Sequence, residues 1–245
     1  DRKTFVEDMG EMSISEDKKT YRFVLKQGIL WHDSQPVTAD DVYFTFHDIV
    51  QNPEFQNPVV KANFADVVIS KINERTIEFT LQNPNSFFIT NLNIGILPRH
   101  ILASVPVREL PISEFNNHPI GSGPYFVDQP LEISREGRSH VVLRAFEKYY
   151  GLRPQIQYIR FSVYPTFEQL LKDKGTLNLI PKVLPSAMAS LQQDARFKLL
   201  PYILPQYTAV FMNMDSPVLK TEKVRVSLQK AVDKKFLLKQ LPSAS

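Results

Sequence analysis

The stretch WHDSQPVTADDVYFTF, residues 31–46, brings one Trp, one His and three Asp close together in the chain. Such side chains can build a metal or acid–base site, but they can also organise a turn and a helix. Asp33 and Pro36 are turn-forming residues. Thr38, with Asp41 three positions later, has the spacing of a helix N-cap followed by a carboxylate in the first turn. We therefore interpret the stretch as a turn followed by an amphipathic helix, in preference to a metal or catalytic site.

Alternating apolar and polar residues predict β-strands on both sides of this helix. The period of two occurs within residues 19–29, 67–81 and 155–165. We also expect a short strand over residues 176–182. A strand-like segment over residues 198–215 contains two prolines, which favour an edge or crossing position.

Helical spacing and turn residues complete the pattern. Apolar residues recur at helical intervals over 166–175, 185–197 and 220–241, the last predicted as one strong amphipathic helix. The sequence GSGPYFV, residues 121–127, predicts a tight turn that leads into a strand, where small residues let the backbone pass close to another segment. Helices and strands are mixed throughout, so the fold class is α/β or mixed α+β.

Composition and charge exclude several classes of protein. The chain has a formal net charge of +3 with Lys and Arg dispersed, so we expect this segment to bind no nucleic acid. No apolar run reaches the roughly 20 residues of a membrane span. Membrane association is therefore expected only through an anchor or a permease outside this chain. The absence of Cys excludes disulfides and thiolate chemistry.

Patterns typical of enzymes and cofactor sites are missing from the sequence. The five His residues are dispersed, without the spacing of a zinc site, and no GxSxG nucleophile motif occurs. The glycines of residues 121–123 lack the GK[ST] or GxGxxG context of a phosphate-binding loop. We expect no enzymatic activity, no cofactor and no metal.

Four motifs in a fixed order carry a resemblance to a known family. They are YRFVLKQGILWHDSQPVTADDV, GSGPY, EKYYG and FMNMDSPVLKTEKVRVSLQKAVDKK. Together they resemble the family 5 extracellular solute-binding proteins, which are peptide- and nickel-type receptors of ABC importers. Four positions depart from the family pattern: Ser34 stands where Gly is usual, Ser122 where Thr is usual, Tyr150 where Trp is usual, and Asn178 where Asp is common.

The resemblance implies a periplasmic-binding-protein-like type II fold. Residues 1–117 would form an inserted subdomain of the large lobe, and residues 118–245 would form part of the large α/β lobe itself. The second lobe, with the acidic residue that usually anchors the ligand, would lie beyond Ser245. The implied function is to bind peptides or similar small solutes in an interlobe cleft, without covalent chemistry, and to deliver them to the permease subunits of an ABC transporter. The implied location is periplasmic or at the cell surface.

The same resemblance suggests which residues contact the ligand. In the family, the strand corresponding to residues 205–213 runs along the interlobe cleft, so Gln206, Tyr207 and Thr208 are the first candidates. The Tyr side chain combines an apolar ring with a polar tip, which suits varied ligands. Ser122 and Tyr125 of the GSGPY motif are secondary candidates.

One alternative belongs to another functional class. A solute-binding-like domain can also serve as the ligand-sensing part of a transcriptional regulator, which would be cytoplasmic. A signal peptide upstream would favour the receptor, whereas a helix-turn-helix pattern would favour the sensor.

Overall fold

The computed structural model of this chain describes residues 7–133, 137–202 and 209–240. Backbone contacts divide the chain into two compact units, Asp1–Leu171 and Lys172–Ser245. The mixture of helices and strands confirms the predicted fold class. The division into an inserted subdomain and a large lobe at residues 117 and 118 stays a prediction.

The first unit begins with a four-stranded antiparallel sheet in the order β1-β2-β4-β3. Its strands are β1 (Gly10–Ile14), β2 (Thr20–Leu25), β3 (Val67–Asn73) and β4 (Thr76–Leu81). Strands β3 and β4 confirm the strand pattern predicted within residues 67–81 and pair as a hairpin, and β2 confirms the strand predicted within residues 19–29. The alternation along β4 directs its apolar side chains into the core.

The predicted turn and helix of residues 31–46 are confirmed. The turn closes through a hydrogen bond from Trp31 N to the carbonyl of Gln35 at 2.8 Å. Helix α1 (Ala39–Tyr43) then begins at Thr38, whose side chain accepts from Asp40 N, while the Asp41 carboxylate accepts from Thr38 N at 2.9 Å. This reciprocal arrangement is a capping box. A π-helical segment, Phe44–Val50, continues the helix.

The sheet and this helix enclose an aromatic core. The ring centroid of Phe46 lies 5.0 Å from that of Phe64 and 5.2 Å from that of Phe79. The ring centroids of Phe88 and Tyr21 are 5.1 Å apart. All five side chains are buried. Edge-to-face and tilted aromatic pairs of this kind add to the stability gained from burying apolar area.

Further short helical segments lie in this part of the chain, and they pack on two separate hydrophobic clusters. The α-helices are α2 (Pro58–Phe64) and α3 (Arg99–Leu102), and the 3-10 segments are Phe88–Asn93, Val107–Ile112 and Glu114–Asn116.

A second antiparallel sheet of the first unit has the order β5-β6-β7. Strand β5 (Tyr125–Ile133) begins inside the GSGPYFV motif, as predicted, and pairs with β6 (Ser139–Ala145). Strand β7 (Tyr158–Val163) confirms the strand predicted within residues 155–165. Helix α4 (Phe167–Lys172) follows it.

The second unit contains the helices α5 (Pro185–Gln192), α6 (Glu222–Ala231) and α7 (Lys234–Gln240), with a 3-10 turn at Lys174–Thr176. The strand predicted over residues 176–182 is wrong, because these residues form a 3-10 turn and bends instead. A strand requires a neighbouring strand for its hydrogen bonds, and residues 177–182 form no ladder with any strand of the described residues. Leu179 accordingly remains 78% exposed.

Two further predictions concern the second unit: a strand-like segment over residues 198–215 and a single helix over residues 220–241. Part of each range lies outside the described residues. The described parts of residues 198–215 contain no strand. The single helix predicted over residues 220–241 is interrupted at Val232, whose ψ of 110° is extended. Asp233 then caps the next helix by accepting from Phe236 N at 3.0 Å. The Asp233 side chain therefore begins a new helix, and the predicted single helix is two helices, α6 and α7.

Candidate functional site

His32 holds the glycine loop of the GSGPY motif through three hydrogen bonds. Its backbone N donates to the carbonyl of Gly121 at 2.8 Å, and Gly121 N donates to the ring Nδ1 at 3.1 Å. The ring Nε2 lies 3.0 Å from the carbonyl oxygen of Gly123. The turn at residues 31–36 is thereby joined to the loop at residues 121–123, which lies about ninety positions further along the chain.

The histidine ring is enclosed by aromatic side chains. The ring centroids of Phe146 and Phe126 lie 5.0 and 5.8 Å from the His32 centroid. Desolvation lowers the pKa of His32, and it outweighs the carbonyl of Gly123 and the charge of Asp33, which both act to raise that pKa.

The glycine at position 121 suits this close approach. A Cβ atom added to Gly121 would lie 3.2 Å from His32 Cε1, which is tighter than ordinary van der Waals contact. A Cβ atom at Gly123 would have no neighbour within 4 Å. The prediction that small residues let the backbone pass close to another segment is therefore confirmed at Gly121, where that segment is His32.

The two secondary candidates for ligand contact flank this loop. Ser122 lies between the two glycines that His32 holds, and it is partly buried. Tyr125 begins β5, and its hydroxyl donates to the carbonyl of Ile156 at 2.9 Å. Their roles in binding a ligand stay predictions. The first candidates, Gln206, Tyr207 and Thr208, lie outside the described residues.

The acidic residues of the opening stretch have structural partners. Asp33 accepts a hydrogen bond from His100 Nε2 at 2.7 Å. Partial burial acts to raise the pKa of Asp33, but hydrogen bonds from His100 and from Gln35 N outweigh it, so the pKa lies below its ordinary value. Asp41 is buried and bonded to three N–H donors. These partners support the interpretation of the stretch as structural, and the described residues contain no cluster of three or more His, Asp or Glu able to hold a metal ion.

Ser34, where the family usually has Gly, adopts a left-handed backbone conformation with φ of 71°. Such a conformation is strained for residues that carry a Cβ atom. The Ser34 hydroxyl oxygen accepts a hydrogen bond from Lys148 Nζ at 3.0 Å. Position 34 therefore carries a Ser side chain, but its backbone has the left-handed conformation that favours Gly.

Sequence reasoning missed the role of His32. A single His beside a turn carries no local sign of its partner, since Gly121 and Gly123 are remote in the chain. Two signals were present separately: a loop with two small residues, and a His at the start of the turn motif. Only the tertiary structure joins them.

Comparison with known proteins identifies the family. The family model for bacterial extracellular solute-binding proteins, family 5, matches residues 4–243. The dipeptide-binding protein of Escherichia coli K12 is 27% identical over 252 residues, covering 92% of this chain and 45% of that protein. The oligopeptide-binding protein AppA of Bacillus subtilis is 25% identical, covering 90% of this chain and 40% of that protein. The chain thus spans less than half the length of these curated relatives.

Solved structures agree with this comparison. The crystal structure of NikZ from Campylobacter jejuni in complex with Ni(L-His) matches with a TM-score of 0.77 at 30% identity, covering 96% of this chain and 46% of that one. The structure of AppA from Bacillus subtilis with a nonapeptide has a TM-score of 0.76 at 23% identity, which supports the fold alone. In the part of the chain that the structure describes, no helix has the length and apolar character needed to cross a membrane. The chain belongs to the family 5 extracellular solute-binding proteins of bacteria.

Proposed function

We propose that this chain is part of an ABC-importer receptor that binds peptides or similar small solutes and delivers them to permease subunits. The observation that carries the proposal is the family match over residues 4–243. The proposed activity is reversible binding in a cleft between two lobes, without catalysis. The proposed location is the periplasm or the cell surface, in keeping with a family of extracellular proteins.

The named relatives support the proposed ligand class. Two relatives carry the names of dipeptide- and oligopeptide-binding proteins, and one similar structure contains a nonapeptide. The NikZ structure contains nickel with L-histidine. A free amino acid and a peptide share charged amino and carboxylate groups, so we propose solutes with these groups as the ligand class and peptides as its main members.

Gln206, Tyr207 and Thr208 are the residues that we propose contact the ligand. The amide and hydroxyl groups can form hydrogen bonds with a peptide backbone, and the Tyr207 ring can pack against side chains of differing shape. Ser122 and Tyr125 are proposed as secondary contacts. Interactions with the peptide backbone allow one site to accept many sequences.

Native mass spectrometry of the protein as purified tests the proposal. We expect a series of bound peptides, and we expect an added peptide mixture to raise the melting temperature, because a ligand that binds only the folded state stabilises it. Substituting Tyr207→Ala is expected to weaken peptide binding roughly tenfold, equivalent to about 1.4 kcal/mol. The control is Tyr202→Ala, since Tyr202 is 65% exposed.

The outcomes separate the proposed receptor from its alternatives. A single bound sugar or phosphosugar, with no stabilisation by peptides, would contradict the peptide proposal and favour a sensor. Stabilisation by nickel with histidine but not by peptides would replace peptides with a metal chelate as the ligand. Equal affinity of Tyr207→Ala and the parent protein would remove Tyr207 from the proposed site.

A further inference from the structure

We propose that His32 is a pH-dependent clamp that holds the loop Gly121–Ser122–Gly123 with all three of its hydrogen bonds only while its imidazole ring is neutral. The clamp is a property of the fold and does not depend on the proposed ligand. Its consequence is local: protonation of the ring breaks the hydrogen bond from Gly121 N to Nδ1, while the bonds from His32 N and Nε2 to the loop remain. The loop is thereby loosened at Gly121, next to Ser122.

The hydrogen bonds determine which ring nitrogen carries the proton. Gly121 N is a donor, so Nδ1, 3.1 Å away, must accept with its lone pair. The carbonyl oxygen of Gly123 is an acceptor, so Nε2, 3.0 Å away, must carry hydrogen. The neutral ring with its proton on Nε2 is the one form that satisfies both partners.

Protonation replaces an attractive contact with a repulsive one. In the cation Nδ1 also carries hydrogen, which then points at the N–H of Gly121. Gly121 N loses its acceptor, and two donors face each other. The rings of Phe146 and Phe126 beside His32 supply no carboxylate that could receive the new proton.

Charged groups on the neighbouring elements are already engaged with each other. Asp33 favours the charged ring but is bonded to His100 at 2.7 Å. On the β5–β6 side, the Arg144 guanidinium lies over the Phe126 ring and pairs with Asp128 at 3.2 Å.

After β6, Lys148 donates to Ser34, two residues from the histidine. The positive charge of Lys148 disfavours protonation of His32, which would add a second positive charge nearby. The charged groups around the clamp therefore leave the neutral ring favoured.

The direction of the pH effect follows from the lowered pKa. Above the ordinary histidine pKa of about 6.5, the ring is neutral in both the folded and the unfolded chain, and the clamp contributes fully to the stability of the folded chain. As the pH falls below that value, the unfolded chain takes up a proton that the folded chain resists, so the folding equilibrium constant falls by up to tenfold per pH unit. The loss is complete once the pH is below the pKa of His32 in the folded chain.

Nuclear magnetic resonance of the histidine rings in the ¹⁵N-labelled protein tests the clamp directly. We expect His32 to be the Nε2–H tautomer at neutral pH and to titrate below the ordinary histidine pKa of about 6.5. The amide signals of Gly121 and Gly123 should shift with the His32 midpoint. An Nδ1–H tautomer, a His32 midpoint at or above about pH 6.5, or glycine amide signals that do not change as His32 titrates would overturn the proposal.

A pair of variants provides a second measurement. His32→Gln has no titrating ring at the clamp, and His118→Gln is the matched control at an exposed site. We expect the acid-induced fall in the folding equilibrium constant between about pH 7 and pH 5 to shrink several-fold in H32Q and to stay unchanged in H118Q. The same fall in both variants would contradict the clamp. If H32Q does not fold, the titration of the parent protein still decides the question.

Discussion

The indole N–H of Trp31 donates a hydrogen bond to the carboxylate of Asp41 at 3.3 Å, and both side chains are buried. The same carboxylate accepts from Thr38 N and from Arg99 N, each at 2.9 Å. One acidic side chain thus joins the turn, the start of α1 and the start of α3. The buried charge is tolerated because backbone and indole donors surround it.

Replacing this carboxylate by an amide should destabilise the fold. In Asp41→Asn, one of the two carboxylate oxygens becomes an NH₂ group, which faces an N–H donor in either orientation of the amide. We expect the free energy of unfolding to fall by about 2 kcal/mol, the cost of an unsatisfied buried group. Urea unfolding measures this change.

The neighbouring Asp40 provides the control for this substitution. Its side chain is 45% exposed and pairs with Lys71 at 2.6 Å. Asp40→Asn should cost no more than about 0.5 kcal/mol, because exposed ion pairs contribute little. Equal losses in the two variants would show that the buried hydrogen bonds of Asp41 have no special role.

The left-handed conformation of Ser34 predicts a stabilising substitution. Ser34→Gly relieves a strain of roughly 1–2 kcal/mol, but it increases the entropy of the unfolded chain and removes an exposed bond from Lys148. We expect a net gain of about 0.5 kcal/mol in the free energy of unfolding. Thermal or urea unfolding measures it.

Ser104→Gly is the matched control, since Ser104 is an exposed turn residue without positive φ. There the entropy effect acts alone, so the control should lose stability or keep it unchanged. A loss of stability in Ser34→Gly would contradict the strain assigned to this turn.

Two adjacent phenylalanines allow the effect of a buried side chain on stability to be compared with that of an exposed one. Phe88 is 1% exposed and lies in the aromatic core, whereas Phe87 is 77% exposed. Phe88→Ala should lower the free energy of unfolding by about 3–5 kcal/mol, because it removes buried area and leaves a cavity. Phe87→Ala should change it by less than about 0.5 kcal/mol. Similar values for both would contradict the assignment of Phe88 to the core.

The two glycines held by His32 should respond differently to alanine. Gly121→Ala places a methyl group 3.2 Å from His32 Cε1, and overpacking of this kind costs about 1–3 kcal/mol. Gly123→Ala meets no atom within 4 Å, so its effect should be close to zero or slightly stabilising. Denaturant unfolding of both variants provides the comparison, and a reversed order would refute the close approach of His32 to Gly121.

Several elements were predictable because their causes are local. The capping box at Thr38 needs only residues in one turn of helix, and the hairpin within residues 67–81 is visible in its alternation. The strand after the GSG loop follows from the glycines and the proline that precede it. The four ordered motifs also identified the family that the comparison confirmed.

Two other predictions were wrong, because the structure at those residues depends on distant segments or on a side chain that interrupts the local pattern. The apolar residues of 176–182 satisfy a strand pattern, yet no described strand lies alongside to pair with them. The amphipathic pattern of residues 220–241 continues across Asp233, where a side-chain cap ends one helix and begins another.

The sequence by itself determined the turn, the helix start, most strands and the family, since hydrogen bonds and periodicity within a few residues decide them. Only the tertiary structure decided that His32 binds Gly121 and that Asp41 binds Trp31 and Arg99. Such contacts depend on where distant segments meet after the core has packed. Burial then changes the chemistry, because it removes the water that would otherwise satisfy a polar group and leaves the protein's own atoms to do so.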